Sequence, residues 1–215
     1  MITTVLLIRH GQTDWNKIGR WQGHTDIPLN DRGHQQARLL AHRLATWPIS
    51  VIYTSDLKRA VQTADPLGAK LGLVPIKEPA LRERNGGFFQ GLTREELQAR
   101  FGEEWRRVRQ DGLAPPNGES DLDLAMRVEA AFQQMVNRHK GDMIAMISHG
   151  GALKVLISHI LGLPLGQPAP FSLSGNTGLS IVKTNENGSI LTLLNDVSHL
   201  ENDHIEGLAD LRDIQ

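Results

Sequence analysis

The fold is decided by the stretch Val5-Leu6-Leu7-Ile8-Arg9-His10-Gly11, where an apolar run ends at a charged pair and a glycine. The apolar part predicts a buried strand, and Gly11 allows the backbone to turn sharply after it. Arg9 and His10 should then lie at the carboxyl end of that strand, the edge of an open α/β sheet at which ligands bind. Neutral imidazole is a competent nucleophile near pH 7, and a neighbouring guanidinium suits an anionic phosphoryl group. The hypothesis is a phosphohistidine enzyme.

Strands and helices alternate along the rest of the chain. Further apolar runs predict strands at 49–54 and 143–148, a short β segment at 73–77, and a hairpin around Asn187-Gly188. Helices are predicted from caps and apolar spacing at 31–45, 57–71, 94–101, 103–110, 120–141 and 152–161. This alternation predicts a three-layer α/β/α sandwich with a mostly parallel central sheet and an antiparallel edge, in one domain spanning residues 1–215.

Composition excludes several classes of protein. The 23 lysines and arginines balance 24 aspartates and glutamates, so no general basic face is available for nucleic acid or an anionic membrane. The absence of cysteine excludes disulfides, thiol catalysis and cysteine zinc sites. The first residues lack the pattern of a secretory signal, and no apolar run is long enough to cross a bilayer, so we expect a cytoplasmic protein. The apolar edge at Val74–Ile76 would suit pairing of two copies as a homodimer.

Three of the predicted strands end near residues that suit phosphate. These are Arg9-His10, the turn that leads to Arg59, and His149. Because the carboxyl ends of parallel strands meet at one edge of the sheet, we expect these residues to form a pocket that no single segment encodes.

In these motifs and their order, the chain resembles the histidine phosphatase superfamily, also called the phosphoglycerate-mutase-like family. The resemblance covers nearly the whole chain and rests on five motifs. They are Arg9-His10-Gly11 with Thr13 and Asn16, Ser55-Asp56-Leu57-Lys58-Arg59-Ala60, Leu81-Arg82-Glu83 followed by Gly91, Gly118-Glu119-Ser120, and Ser148-His149-Gly150. One such motif alone would be weak, but five in this order are specific.

The resemblance implies a role for each matching residue. His10 would take the phosphoryl group, and Glu83 would protonate the departing alkoxide. The oxygens of the phosphoryl group would be held by Arg9, Arg59, His149 and Asn16. The residues flanking the phosphate would be Gln22, Gly23, Thr25 and Gly150. Arg84 and Arg94 would reach the rest of the substrate. Two arginines, an imidazolium and an amide can stabilise the transferred group without a metal, so neither metal nor cofactor is expected.

Simpler interpretations of single residues stay open at this point. Arg59 could pair with Asp56, His149 could cap the helix after it, and Glu83 could form an ion pair with Arg82 or Arg84. The other histidines are scattered and suit surface or packing positions. His199 stays a candidate site residue, because some members of the family carry a histidine in a closing tail. Trp21 is the aromatic residue most suited to flank the phosphate pocket.

The motifs point to the family as a whole, and further residues bear on whether the chain resembles its phosphatases or its mutases. Phe89-Gln90-Gly91 stands where phosphatases commonly carry Trp-Glu-Gly. Mutase-like residues occur in order at Arg94, at Trp105-Arg106-Arg107 and at Pro115-Pro116. The segment 107–115 is nevertheless short, whereas mutases carry a longer insertion there that closes the site. A mutase must exclude water while its substrate reorients, and a phosphatase must admit it. The short segment therefore favours hydrolysis.

The sequence thus predicts a metal-independent phosphomonoesterase for small phosphorylated metabolites. Sugar-acid or hydroxy-acid phosphates would suit Arg84, Arg94, Arg106 and Arg107, which select a second anion if they face the pocket and select nothing if they face solvent. The alternative is a mutase that depends on 2,3-bisphosphoglycerate. A phosphate-binding module without turnover is disfavoured because His10, Arg9, Arg59, Glu83 and His149 are all present. A P-loop hydrolase lacks its motif, and the spacing of histidines and carboxylates indicates no specific metal site.

Overall fold

A computed structural model of the chain describes residues 1–167 and 169–200. Its strands are β1 (Thr3–Arg9), β2 (Ile49–Thr54), β3 (Ile76–Lys77), β4 (Met143–Ser148), β5 (Leu179–Asn185) and β6 (Gly188–Asp196). They form one sheet in the order β3-β2-β4-β1-β5-β6. Strands β3, β2, β4 and β1 pair in parallel, whereas β5 is antiparallel to both β1 and β6. The predicted parallel core with an antiparallel hairpin at one edge is confirmed.

The two central strands, β1 and β4, correspond to continuous apolar runs. Such runs are typical of strands covered on both faces, and the bounds of β4 are the predicted ones. Strand β1 begins earlier than its apolar run because Thr3 pairs with Thr184 of β5 and Thr4 pairs with Met143 of β4. It ends later because the backbone N–H of Arg9 still donates to the carbonyl of Gly178. Pairing partners in the folded chain therefore extend the strand beyond what its own residues indicate.

Helices cover both faces of this sheet. They are α1 (Asp14–Lys17), α2 (Asp31–Arg43), α3 (Lys58–Leu71), α4 (Arg94–Gln110), α5 (Asp121–Arg138) and α6 (Gly150–Ile160). Because successive strand residues point to opposite faces, the side chain of Leu7 joins a core with α5 and α6, and that of Ile8 joins a second core with α2 and α3. The predicted three-layer α/β/α architecture is confirmed.

Several helices differ in detail from the prediction, and α2 and α5 end at Arg43 and Arg138 rather than at 45 and 141. The two pieces predicted at 94–101 and 103–110 form the single kinked helix α4, with Gly102 at φ 43° taking a non-helical conformation between them. Helix α6 begins at Gly150 rather than at Ala152, because His149 is the extended residue before the first turn. This placement puts the N-terminus of α6 next to the predicted phosphate residues.

A small third core supports the loops beside the carboxyl edge of the sheet. Phe89, Leu97 and Val108 are buried together, and Trp21 and Trp105 pack against them. This core ties α4 to the loops at 20–25 and 86–91.

Within the described ranges, no helix has the length and apolar character needed to cross a bilayer. The predictions of a single domain and of a homodimer stay predictions, although β3, which carries Ile76, does lie at an edge of the sheet. What was predicted for the tail beyond Leu200 lies outside the described residues.

Candidate active site

The register of β1 and β4 brings two histidines together. Arg9 pairs with Ser148 in the parallel ladder, so the residues that follow, His10 and His149, leave the sheet side by side. The backbone N–H of His10 donates to the carbonyl of Ser148 at 2.9 Å, and the two imidazole centroids lie 5.1 Å apart. The sheet edge therefore joins residues that are far apart in sequence, as expected.

A cavity of about 310 Å³ opens at this edge. Eight of the predicted site residues line it, namely Arg9, His10, Asn16, Gln22, Gly23, Arg59, Glu83 and Gly150. Arg20, Trp21, Gly151, Lys154 and Leu173 complete the wall. Its size and mixed lining suit a small charged molecule.

His10 is held in the tautomer that a nucleophile needs. Its ring is buried, and Nδ1 lies 2.7 Å from the carbonyl oxygen of Gly11. Because a carbonyl only accepts, Nδ1 carries the proton and Nε2 keeps its lone pair. Burial first, and then the charges of Arg59 and Arg9, hold the pKa of His10 well below its ordinary value of 6.5. The ring is therefore neutral and nucleophilic over a wide range of pH.

Arg59 is fully buried and is an organising residue of the site. Its Nε donates to Nδ1 of His149 at 3.1 Å, and its two terminal nitrogens donate to the carbonyls of Thr25 and Gly23 at 2.8 and 2.7 Å. Burial lowers the pKa of Arg59 to about 10, so the guanidinium stays charged at neutral pH. A guanidinium has five N–H groups, and the two that remain are available to a ligand. Arg59 does not pair with Asp56.

The structure differs from the expected imidazolium at His149, because the contacts of this ring are those of a neutral imidazole. Its Nδ1 accepts from Arg59, so the proton of the neutral ring lies on Nε2, which has no hydrogen-bond partner within the described chain. Burial and the neighbouring Arg59 charge hold the pKa of His149 well below 6.5. A neutral donor, rather than an imidazolium, therefore lies beside His10. His149 does precede α6, but its side chain does not cap the helix.

Glu83 is bound by backbone rather than by the arginines next to it. Its carboxylate accepts from the N–H groups of Arg84, Gly151 and Ala152 at 2.8, 3.0 and 3.2 Å. Two of these groups belong to the first turn of α6, where unpaired N–H groups point out of the helix. Arg82 and Arg84 instead bind Asp56 and Asp121. The carboxylate is thereby fixed on the wall of the cavity that His10 also lines.

Two amide side chains lie in the same wall. The Asn16 oxygen accepts from both the backbone N–H and the hydroxyl of Thr13 at 3.1 Å, which leaves the Asn16 amide nitrogen to face a ligand. Gln22 is buried, and its Oε1 has no partner in the described part of the chain. Gly23 has φ of +51°, and an added Cβ there would collide with the Gln90 side chain. Glycine therefore suits this position, both for its positive φ and for the close packing of the loop against Gln90.

A second cavity of about 300 Å³ adjoins the first and shares Trp21, Glu83, Gly151 and Lys154 with it. Arg84 lines this second cavity, 5.3 Å above the Trp21 ring and hydrogen-bonded to Asp121. The other arginines considered for a second anion do not line either cavity. Arg94 is exposed at the start of α4, and Arg106 and Arg107 pair with Glu103 on its surface.

Thr25 also differs from its expected role, because it does not line the cavities. It acts through its carbonyl, which binds Arg59. His199 binds the Thr177 hydroxyl at 2.9 Å and lies 3.4 Å from an Arg43 nitrogen, so it does not face the cavities. Burial lowers the pKa of His199 to about 4.

Several residues of the site were missed from sequence, among them His24, Arg20, Gly151 and Lys154. His24 donates from Nε2 to the carbonyl of Glu83 at 2.8 Å and so helps to place that residue. Arg20 and Lys154 line the first cavity. Lys154 stands one helical turn after Gly150-Gly151, and that spacing alone could have identified it. His24 and Arg20 carry no such signal, because their positions depend on how the loop folds against 83–91.

Within residues 1–167 and 169–200, no three histidine or acidic side chains form a group that could hold a metal ion.

Comparison with known proteins gives a consistent match. Residues 5–197 match the family model of the histidine phosphatase superfamily, branch 1. A relative named probable phosphoglycerate mutase GpmB, from Enterobacter sp. (strain 638), is 37% identical over 210 residues, which cover 92% of this chain and 94% of that protein. Phosphoserine phosphatase 1 of Hydrogenobacter thermophilus is 30% identical over 204 residues, covering 94% and 96%.

Among solved structures, a mycobacterial glucosyl-3-phosphoglycerate phosphatase complexed with VO3 has a similar fold, with a TM-score of 0.81 at 30% identity. The match covers 89% of this chain and 98% of that one. Relatives with mutase names and relatives with phosphatase names are thus both similar to this chain over most of its length.

Proposed function

The chain belongs to the histidine phosphatase superfamily, and from this membership and the geometry of the site we propose that it is a metal-independent phosphomonoesterase of small phosphorylated metabolites. The observation that carries the proposal is the hydrogen bond from Nδ1 of His10 to the Gly11 carbonyl, inside a cavity lined by Arg9 and Arg59. It leaves a neutral Nε2 as the nucleophile in surroundings that attract a phosphate.

In the first step, the Nε2 lone pair of His10 attacks phosphorus while the P–O bond to the leaving group breaks. The departing alkoxide is a poor leaving group and takes a proton from the Glu83 carboxyl, which must be protonated at that moment. The products are phosphohistidine, the free alcohol and the Glu83 carboxylate. The covalent intermediate divides one difficult displacement into two easier ones.

In the second step, water attacks the phosphorus of phosphohistidine. The Glu83 carboxylate takes a proton from that water as the P–O bond forms and the N–P bond breaks. Inorganic phosphate leaves, and both His10 and the Glu83 carboxyl return to their starting states. Fixed placement of the carboxylate by the Gly151 and Ala152 N–H groups suits a group that serves as acid and then as base.

The negative charge on the transferred phosphoryl group is stabilised by arginine side chains that the protein already holds in place. Arg9 is anchored by donating to the carbonyls of Leu173 and Ser174 at 2.7 and 2.5 Å, and Arg59 is anchored by Thr25 and Gly23. Phosphoryl transfer requires mainly in-line positioning and stabilisation of charge on the equatorial oxygens. These two guanidinium groups provide that stabilisation without a metal ion or cofactor, and no reorganisation is needed during the reaction.

A phosphoglycerate mutase dependent on 2,3-bisphosphoglycerate is the second candidate, favoured by the name of the GpmB relative. A mutase has to keep water away from phosphohistidine while the bound substrate reorients in the site. In this chain the segment between α4 and α5, residues 111–120, forms no helix or strand that would cover the cavity. This supports hydrolysis rather than transfer.

The test is phosphate release from 4-nitrophenyl phosphate and from 3-phosphoglycerate with a chelator present, beside mutase turnover with and without 2,3-bisphosphoglycerate. We expect release that persists with the chelator, disappears in His10→Ala and is retained in His42→Ala, which alters an exposed histidine on α2. Cofactor-stimulated isomerisation with negligible release would instead identify a mutase. Dependence on added divalent metal would overturn the metal-independent mechanism, and inactivity in every assay would indicate a binding module.

A further inference from the structure

The two cavities meet at Lys154, a residue of α6 that the proposed reaction does not use. Its side chain is exposed and lines both cavities. We call the first cavity the phosphate lobe and the second, which contains Arg84 and Asp121, the outer lobe. A phosphate ester bound at His10 has to extend its other half past this junction if it enters the outer lobe.

Three cations line the outer lobe, Arg84, Arg109 and Lys154, and of these only Lys154 also lines the phosphate lobe. Arg84 is nine-tenths buried in its side chain, binds Asp121 and lies over Trp21, so its charge is neutralised within the protein. Lys154 forms neither a hydrogen bond nor an ion pair with any residue in the described ranges. The Lys154 ammonium can therefore bind an anion without breaking a protein contact.

The charges nearest to Lys154 also include Glu83, which lines both lobes. Its carboxylate already accepts three backbone N–H groups. Lys154 comes three residues after Gly151, whose N–H is one of these donors, so the two lie on one face of α6 about 5 Å apart along its axis. Lys154 therefore lies at the junction of the two lobes, on the face of α6 whose first turn holds the Glu83 carboxylate.

The remaining wall of the outer lobe combines apolar side chains with a few polar ones. The apolar residues are Val108, Leu124, Val155, Pro164 and Leu165, and the polar ones are Ser158 and Gln167. Apolar lining with a few fixed charges is typical of sites that bind an organic molecule and orient it. We propose that the outer lobe holds the leaving group of the substrate and that Lys154 selects esters whose leaving group carries a second anionic group, a carboxylate or a further phosphate. This inference rests on the proposed phosphatase function and adds a specificity residue to it.

The test compares two aryl esters that differ in one charge, 4-carboxyphenyl phosphate and its neutral isostere 4-carbamoylphenyl phosphate. The variants are Lys154→Met, the conservative Lys154→Arg, and Lys70→Met as a matched control on the exposed end of α3. The readout is kcat/KM for each ester. Taking the ratio of the two esters within each variant removes differences in folding and in leaving-group chemistry.

We expect wild type, Lys154→Arg and Lys70→Met to prefer the carboxylate ester, and Lys154→Met to lose that preference by about tenfold or more, as for a lost charge-assisted hydrogen bond. The loss should be mainly in KM, because the contact is made equally in the ground and transition states. Equal losses on both esters, or a shifted pH profile for both, would overturn the inference and assign Lys154 to the phosphoryl group or to Glu83. If wild type hydrolyses neither ester, it is the phosphatase proposal that fails.

Discussion

The Nε–H of Arg59 donates a hydrogen bond to Nδ1 of His149 across 3.1 Å. One buried arginine therefore supplies positive charge to the cavity and also determines which nitrogen of His149 carries the proton. The same guanidinium ties down the loop at Gly23 and Thr25. Loss of the planar set of guanidinium donors is therefore expected to lower activity as much as loss of the positive charge does.

We predict that Arg59→Lys, which keeps the charge, lowers kcat/KM for 4-nitrophenyl phosphate by about 100-fold or more. A single ammonium lacks the planar fork of donors that reaches His149, Thr25 and Gly23 together. Buried carbonyls left without donors should also lower the melting temperature. Kinetics and thermal melts measure the two effects. Arg38→Lys, on the exposed surface of α2, should change neither, and a nearly normal kcat/KM for Arg59→Lys would contradict the positioning role.

A second prediction concerns Gly151, whose N–H holds Glu83. An added Cβ at this position would collide with the Glu83 carboxylate. Since alanine is otherwise favoured in a helix, Gly151→Ala should remain folded while displacing the proposed acid. We expect kcat/KM to fall by about 100-fold for phenyl phosphate and much less for 4-nitrophenyl phosphate, whose leaving group needs no proton. Equal losses on the two esters would show that Gly151 supports binding rather than proton transfer.

The protonation of His10 leads to a third prediction. Because burial, Arg59 and Arg9 all lower its pKa, the ring should stay neutral well below pH 6.5, the ordinary value for histidine. Nuclear magnetic resonance of labelled histidine rings, with His10 assigned from His10→Gln, should therefore show no inflection for His10 between pH 8 and 6. An inflection near pH 6.5 would contradict the buried, positively charged surroundings on which the mechanism depends.

Acid stability provides a fourth prediction, through His199. Its pKa of about 4 in the folded chain lies below the ordinary 6.5, because burial disfavours the charged ring. Below pH 6.5 the unfolded chain therefore binds the extra proton, so the free energy of unfolding is full above that pH and falls as the pH drops toward 4. His10 and His149 are shifted in the same direction.

Urea denaturation at several pH values measures this effect. His199→Gln keeps a donor for Thr177 but cannot titrate, so its stability should fall less steeply than that of wild type between pH 6.5 and 4, by at most about 1.4 kcal/mol per pH unit. His42→Gln, an exposed control, should follow wild type. Parallel pH dependence of wild type and His199→Gln would contradict the lowered pKa of His199.

The sequence predicts the layers and sheet edge of this fold well, for a local reason. A continuous apolar run delimits β4, and β2 is recognisable although Ser50 interrupts its apolar residues. Thr93 and Ser120 begin helices because their hydroxyls accept hydrogen bonds from the backbone N–H groups of Glu96 and Asp123. The short β3 is less well predicted, because it pairs at only two positions with β2 and depends on that neighbour.

The site is predicted only as far as its motifs extend. His10, Glu83 and Arg59 are recognisable from their neighbours in sequence, but the contacts that tune them come from distant segments. The hydrogen bond from Arg59 determines which nitrogen of His149 is protonated. The Arg84 guanidinium binds Asp121 rather than the Glu83 carboxylate. Such pairings follow from the packing of loops, which neither periodicity nor spacing encodes.

The central claim is that His10 carries the phosphoryl group, and trapping that group tests it most directly. Enzyme mixed with 4-nitrophenyl phosphate, quenched in alkali within one turnover and digested, should yield the peptide containing His10 with the mass of one added phosphoryl group. The modification should be labile to acid, as expected of phosphohistidine, and should be absent from His10→Asn. Turnover with no modified peptide, or with the phosphoryl group on another residue in wild type, would contradict the account.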